Sequence, residues 1–285
     1  ADGNTAVGYA AMDAITSGDN NVAVGFGALG AATSGSECTA VGMNALADNI
    51  TAVKLTAVGY GASRYLTSGE DATSLGYLSL GNVNNTVANG NTGIGYLAFP
   101  NLTTGSDGNV AVGRVSGNSH TTATQSIWIG KSSGFNANSS QSIGIGRRAG
   151  QGVTSGAGNT AIGFQTMYAS VGTGANNTMV GAYCGQTFTG SNNFGLGYQA
   201  NYAGSPGGAQ SGDNEGFLGD ENIATINAQV DITAASDKRD KSDVEPLTVG
   251  LSFINQLEPV TYRWDKRTKY IKKYQLALEP DDTDF

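Results

Sequence analysis

Charge is scarce in this chain. Charged side chains make up 13% of its 285 residues, against about 25% in ordinary globular proteins. Those present lean acidic, with a formal net charge of −8. Binding nucleic acid through its phosphates needs a basic face, so no nucleic-acid partner is expected. No apolar run approaches the roughly 18 residues of a membrane-spanning helix, so no membrane insertion is expected. His120 is the single histidine. That excludes a metal site built on several imidazoles and a Ser-His-Asp triad anywhere else. His120 is expected in an exposed loop, and no cofactor is implied.

Glycine is the opposite case. There are 43, and all but Gly250 precede residue 236. They are not at every third position, which excludes collagen. At 39% hydrophobic the chain can bury a core, which argues against disorder.

The glycines punctuate a repeat. A small or β-branched residue, a small residue, an aliphatic and a glycine recur as Thr5-Ala6-Val7-Gly8, Val22-Ala23-Val24-Gly25, Thr39-Ala40-Val41-Gly42 and so on, ending in a degenerate Gly216-Phe217-Leu218-Gly219. The thirteen copies are about 17 residues apart. An aromatic often follows the glycine (Tyr9, Phe26, Tyr60, Tyr77, Tyr96, Phe164, Tyr198), then an alanine and a large apolar residue, then a polar turn such as Thr16-Ser17-Gly18-Asp19-Asn20. This period is too short for a strand–helix unit or a propeller blade. It predicts an all-β parallel β-solenoid, or β-roll, of about 13 coils over residues 1–219, with two short strands and two turns per coil.

Alternation along the tetrad divides it into two faces. The first and third residues suit a narrow interior. The second residue and the glycine make a flat face that suits close approach of another backbone. Identical chains, three about an axis, are expected to pack there; the alternative is that glycine serves tight bends within one chain. Cys38 and Cys184 fall eight coils apart, roughly 38 Å at the usual strand spacing. A disulfide needs Cα atoms within about 7 Å, so free, buried thiols are expected.

The Thr-Ala-Val-Gly-Tyr unit resembles the head repeats of trimeric autotransporter adhesins and the repeat arrays of bacteriophage tail fibres. Either resemblance implies a homotrimeric, extended, adhesive or spacer structure. Asp19, Glu37, Glu70, Asp71 and Asp107 invite comparison with the paired acids of glycosidases, but they sit in polar turns where carboxylates are normally solvated. Trp128 fills a normally small position. With Lys131 and Arg147-Arg148 nearby it marks the copies that depart most from the repeat. That departure reads either as a widened gap between chains or as a binding surface, which makes Trp128 the one candidate for receptor contact.

At Ser236 the composition changes. Residues 1–235 carry 19 charged side chains and the last 50 residues carry another 19. Residues 220–235 read as a transition with short strands through Ile223, Thr225 and Asn227 and through Val230 and Ile232. Beyond it, Leu247, Leu251, Ile254 and Leu257 fit a helical face stopped by Pro259, and Val260, Tyr262 and Trp264 alternate as a strand. A small α+β segment is expected over 236–285.

Ser236-Asp237-x-Arg239-x-Lys241, Val244-Glu245-Pro246-Leu247 and Ile254-Asn255-Gln256-Leu257-x-Pro259-Val260-x-Tyr262-x-Trp264 resemble the start of the intramolecular chaperone auto-processing domain of endosialidase-type tailspikes and other phage fibres. The resemblance implies trimerisation, guidance of upstream folding, and one self-cleavage by a serine–lysine dyad. It assigns Ser236 as nucleophile, Lys241 as general base and Asp237 as the residue beside the cut. A buried lysine whose pKa falls from about 10.4 towards neutrality serves as such a base. Asp240 departs from the family's aliphatic residue and would favour charged Lys241. The in-phase start at Ala1 and the end at Phe285, about 50 residues into this domain, fit a piece of a longer polypeptide.

These readings converge on a phage tail fibre, assembled in the bacterial cytoplasm and carried on the virion tail. Its expected partners are two further copies, other tail proteins, and a host cell-surface glycan or protein. An autotransporter adhesin head and a glycan-degrading tailspike are the alternatives.

Overall fold

A computed structural model describes residues 1–81, 89–103, 105–169, 172–202 and 212–227. Ser236, Asp237, Lys241, the α+β pattern of 236–285 and Val230 and Ile232 lie outside them. Within the described residues the tetrads form thirteen three-residue strands, from β1 (Thr5–Val7) to β13 (Gly216–Leu218). All lie in one parallel sheet in sequence order. Register is one to one, as in Thr39↔Thr56, Ala40↔Ala57 and Val41↔Val58. The described residues therefore form a parallel β-solenoid, and residues 1–226 form one compact unit. Residues 223–227, expected as a transition strand, are exposed and unpaired as strand.

Each coil has one strand, not two. The other side is a run of turns, with only isolated bridges such as Val53↔Glu70 and Val153↔Gly172. In these turns the backbone takes positive φ at alternate positions: Gly27 and Leu29 (φ 62° and 51°), then Asn44 and Leu46 (56° and 51°). A left-handed conformation costs a non-glycine residue about 1–2 kcal/mol. Here it turns a large side chain inward, and Leu29, Leu46, Phe99 and Met167 are all buried. The period-two pattern expected of a second strand does not survive that geometry.

The turn side thus supplies the bulk of the core, and this overturns the expected assignment of faces. From Val22 on, the second tetrad residue is the buried one in every strand, while the first and third are half-buried or exposed. Ala23, Ala40, Ala57 and Ala111 point inward because Leu29, Leu46 and their equivalents already fill the space opposite. The Thr/Val/Ile face looks out.

The closing glycines pack within the chain, not against another. Gly59 has φ 133°, and a Cβ there would lie 2.5 Å from the Gly76 carbonyl oxygen one coil on. The same contact repeats from Gly8 to Gly181. Tight bending within one chain accounts for the column, and the expectation that partner chains pack on a flat glycine face is wrong.

A second column lies just before the tetrad. Asn21 Nδ2 donates to the Gly35 carbonyl at 2.8 Å, and its Oδ1 accepts the Cys38 N–H one coil on at 2.9 Å. Asn109, Asn177 and Asn193 repeat both bonds. Each side-chain amide satisfies two buried backbone groups that the strand ladder leaves over. Cys38 and Cys184 are free and buried as expected. Burial raises the pKa of both thiols, that of Cys184 to about 12.

Candidate functional site

Trp128 is not a receptor contact. It is 1% exposed, on the inward position of β8 (Ile127–Ile129). A Cβ at Gly144 or Gly150 would lie 2.5 Å from its ring, and one at Gly134 nearer still. The indole thus occupies volume that three glycines leave empty. Its N–H has no hydrogen-bond partner among the described residues, so it is placed for volume. The sequence reading set its size against an exposed flat face, and that face is in fact the interior.

His120 is also interior. It is fully buried, with its ring 5.1 Å from Phe99 and 6.3 Å from Trp128 by centroids, and Nε2 stands 3.2 Å from Asn109 Oδ1. Burial pushes its pKa down to about 4, so the imidazole is neutral at pH 7. A polar flanking sequence, Asn118-Ser119-His120-Thr121, hid this, because in these coils buried polar side chains bond to the neighbouring coil.

The turn carboxylates have a structural task. Asp19 accepts the Asp2 N–H at 2.6 Å, Asp107 the Asn89 N–H at 3.0 Å and Asp213 the Ser191 N–H at 2.6 Å. Each bond reaches the adjacent coil. Among the described residues no group of three or more His, Cys, Asp or Glu is arranged to hold a metal.

What the solenoid does present is a surface. The outward tetrad positions carry Val7, Val22, Val24, Leu75, Ile129, Ile145, Ile162, Phe194, Leu196 and Leu218, with Val7 57% and Phe194 47% exposed. At about 4.8 Å per strand and two outward residues per strand, the strip measures on the order of 60 Å by 7–10 Å. That is several hundred Å², the upper end of what a soluble monomer leaves uncovered.

Beside the strip, one residue past the closing glycines, runs a column that is aromatic in seven coils and holds Met43 and Ala182 in two others. Tyr60, Tyr77 and Tyr96 stack with centroids 5.0 and 5.3 Å apart. The column is then interrupted at the equivalent positions by Arg114, Lys131 and Arg147, and resumes at Phe164. The guanidinium carbons of Arg114 and Arg147 each lie 5.5 Å from the ring at their end of the gap, Tyr96 and Phe164.

The predicted catalytic residues, Ser236 and Lys241 with Asp237 beside them, lie outside the described residues. Neither a curated protein nor a solved structure matches the chain. Residues 236–277, which begin at the proposed nucleophile, match the family described as Chaperone of endosialidase.

Proposed function

We propose that the chain is a structural and adhesive part of a bacteriophage tail fibre: a homotrimeric β-solenoid whose C-terminal segment directs trimerisation. The observation that carries this is the outward apolar strip, continuous over thirteen strands, in a chain whose later residues 236–277 match a fibre-chaperone family. Water is a poor neighbour for ten exposed Val, Ile, Leu and Phe side chains in one line. Three identical strips meeting on an axis remove them from it, and a threefold axis closes the assembly.

The chaperone has a physical task here. Coils that pair one to one through near-identical tetrads slip by a whole coil at little cost, because register is specified only where neighbours differ. Three chains multiply the error. A domain that fixes stoichiometry and register first lets the solenoid zip from that end. Self-cleavage by Ser236 and Lys241, beside Asp237, then leaves the product kinetically trapped. The fibre stands at the host-recognition end of the virion, on other tail proteins and against a host-surface glycan or protein.

Native mass spectrometry of the protein should give three times the 29.0 kDa chain mass; a monodisperse monomer refutes the assembly. Val24→Asp with Val41→Asp should dissociate it. In a chain that carries the whole chaperone domain, Ser236→Ala should abolish a size shift that the wild type shows. Equal sizes end the self-processing claim and leave the trimer standing.

A further inference from the structure

The interruption of the aromatic column coincides with a segregation of charge. From residue 108 to residue 212 the sequence contains no aspartate or glutamate, yet it contains Arg114, Lys131, Arg147 and Arg148. Before it, residues 1–107 hold eight acids against Lys54 and Arg64; after it, residues 213–235 hold five acids and no base. The four cations stand on three successive coils, following β7 (Val110–Val112), β8 and β9 (Ile143–Ile145). No ion pair to any of them is present among the described residues. Like charges stacked at strand spacing repel one another. At this position the other coils carry an aromatic in seven cases and Met43, Ala182 or Asp220 in the rest, and none of them carries a cation.

The cations border a depression. Arg114, Lys131 and Arg148 line an open hollow of about 450 Å³, with Ser132, Phe135 and Gln151 supplying polar and aromatic wall. Gln151 also borders a neighbouring hollow of about 280 Å³. There Tyr168 receives a hydrogen bond from Arg148 Nη1 at 3.3 Å and has its ring under that guanidinium at 5.4 Å. Arg148 is thereby held in place, while Arg114, Lys131 and Arg147 are exposed. All of these residues lie past the closing glycine, outside the tetrads that form the apolar strip.

We infer that this cationic hollow on the three coils following Val110–Val112, Ile127–Ile129 and Ile143–Ile145 binds a short stretch of an acidic polysaccharide, with sugar carboxylates on Arg114 and Lys131, which line it, and on exposed Arg147 at the equivalent position of the next coil, and with sugar rings against Phe135 and Tyr168. Three coils span only about 10–15 Å, the reach of a few sugars. Duplex nucleic acid carries a charge every 1.7 Å or so; extended along the fibre it would run onto the acidic coils before residue 108 on one side and onto coils without a cation on the other. Carboxylates spaced one per sugar match widely spaced cations, and a planar guanidinium takes a carboxylate by two parallel bonds. The ring hydroxyls find Ser132 and Gln151, and the apolar faces of the sugars find the aromatics.

This inference rests on the adhesive reading, and the test separates the two. Retention of the intact oligomeric protein is measured on immobilised polygalacturonate, on neutral dextran and on duplex DNA, at low and at moderate salt. Polygalacturonate should bind and weaken as salt rises, while dextran should not bind. The triple variant Arg114→Gln, Lys131→Gln, Arg147→Gln should lose about tenfold in affinity, the summed effect of three weak exposed contacts. Arg64→Gln, on a distant coil, should change nothing. Equal retention on dextran, equal or tighter retention on DNA, or a triple variant that binds like wild type overturns the proposal. So does a triple variant that changes oligomeric state, which would make the cations an assembly feature. If polygalacturonate fails while the protein still adheres to whole cells, the acidic-glycan site is refuted and the adhesive reading survives.

Discussion

The coils from Thr39 to Leu75 and those from Thr92 to Ile145 solve one packing problem in two ways. In the first region the inward strand residue is small (Ala40, Ala57, Ser74) and the turn residue four positions after the glycine is Leu46, Ser63 or Leu80. In the second the bulk moves about. Ser79 and Leu80 press on Gly93, Phe99 reaches over Gly117, and Trp128 spreads over Gly134, Gly144 and Gly150. Wherever one position grows, its neighbours across the coil and one coil on shrink to glycine. A close-packed interior of fixed cross-section demands this, because both voids and excess methylenes cost stability. The repeat conserves a volume per coil, and the residue that supplies it is free to change.

The sharpest way to break that comparison is Trp128→Ala. This makes the strand residue typical of the repeat but leaves three glycines opposite it, so the interior is hollow. A loss of about 3–5 kcal/mol is expected in urea unfolding. Ala57→Gly, in the regular region, should cost only about 1 kcal/mol. If the two losses are alike, the glycines near Trp128 are not there to hold it. Next in size is Gly59→Ala, which puts a Cβ 2.5 Å from a carbonyl oxygen at φ 133°; about 2–3 kcal/mol should be lost. Equal stability would mean that the glycine column is not a close approach.

The second region also buries the single histidine of the chain, and the first has no histidine. His120 is held neutral by burial, with a folded pKa of about 4 against the 6.5 of an unfolded chain. Above pH 6.5 both states are neutral and nothing changes. As pH falls through 6.5 the unfolded chain takes a proton that the folded chain refuses, so stability drops until about pH 4. The full loss is roughly 3 kcal/mol at 1.36 kcal/mol per pH unit. Urea unfolding of wild type and His120→Gln at pH 7, 5.5 and 4.5 checks it. The wild type should lose stability relative to the variant across that range, and parallel curves would show that the ring is solvated.

Much of the fold was legible because a tetrad recurring thirteen times fixes strand, sheet and order together, and the free cysteines follow from the coil count alone. Orientation was not legible. Alternation assigns residues to two faces but does not say which face is inside. Thr and Val in positions one and three read as a core until Leu29 and Leu46, on positive-φ turns, are seen to fill it. Trp128 and His120 were misplaced for the same reason, since each was judged by character and not by the volume opposite. The serine–lysine pair was legible as a motif, and the family match begins at Ser236. The cation row was visible in part as Lys131 and Arg147-Arg148. Its other half, the absence of any acid from 108 to 212, needed a count of what was missing.

The smallest expected effect concerns the column before the tetrad, where the coils around Trp128 differ from those that follow them. Asn109, Asn159, Asn177 and Asn193 give way to Ser126 and Ser142 around Trp128. Asn177 makes three bonds: Nδ2 to the Gly190 carbonyl at 2.9 Å and to Asn159 Oδ1 at 3.0 Å, and Oδ1 from the Asn193 N–H at 2.9 Å. Ser142 Oγ reaches the Ser140 carbonyl at 3.2 Å and accepts the Asn159 N–H at 3.2 Å. A hydroxyl also reaches the next coil, but Ser142 makes fewer and longer bonds than the Asn177 amide. Removing a partner costs most where it strands buried backbone groups. Asn177→Ala should therefore lose about 1–3 kcal/mol and Ser142→Ala about 0.5–1 kcal/mol, with faster amide exchange at Asn193 and at Asn159 respectively. If the serine proves the costlier residue, the amide column is not what ties coil to coil, and the strand ladder with its glycine contacts must hold the register alone.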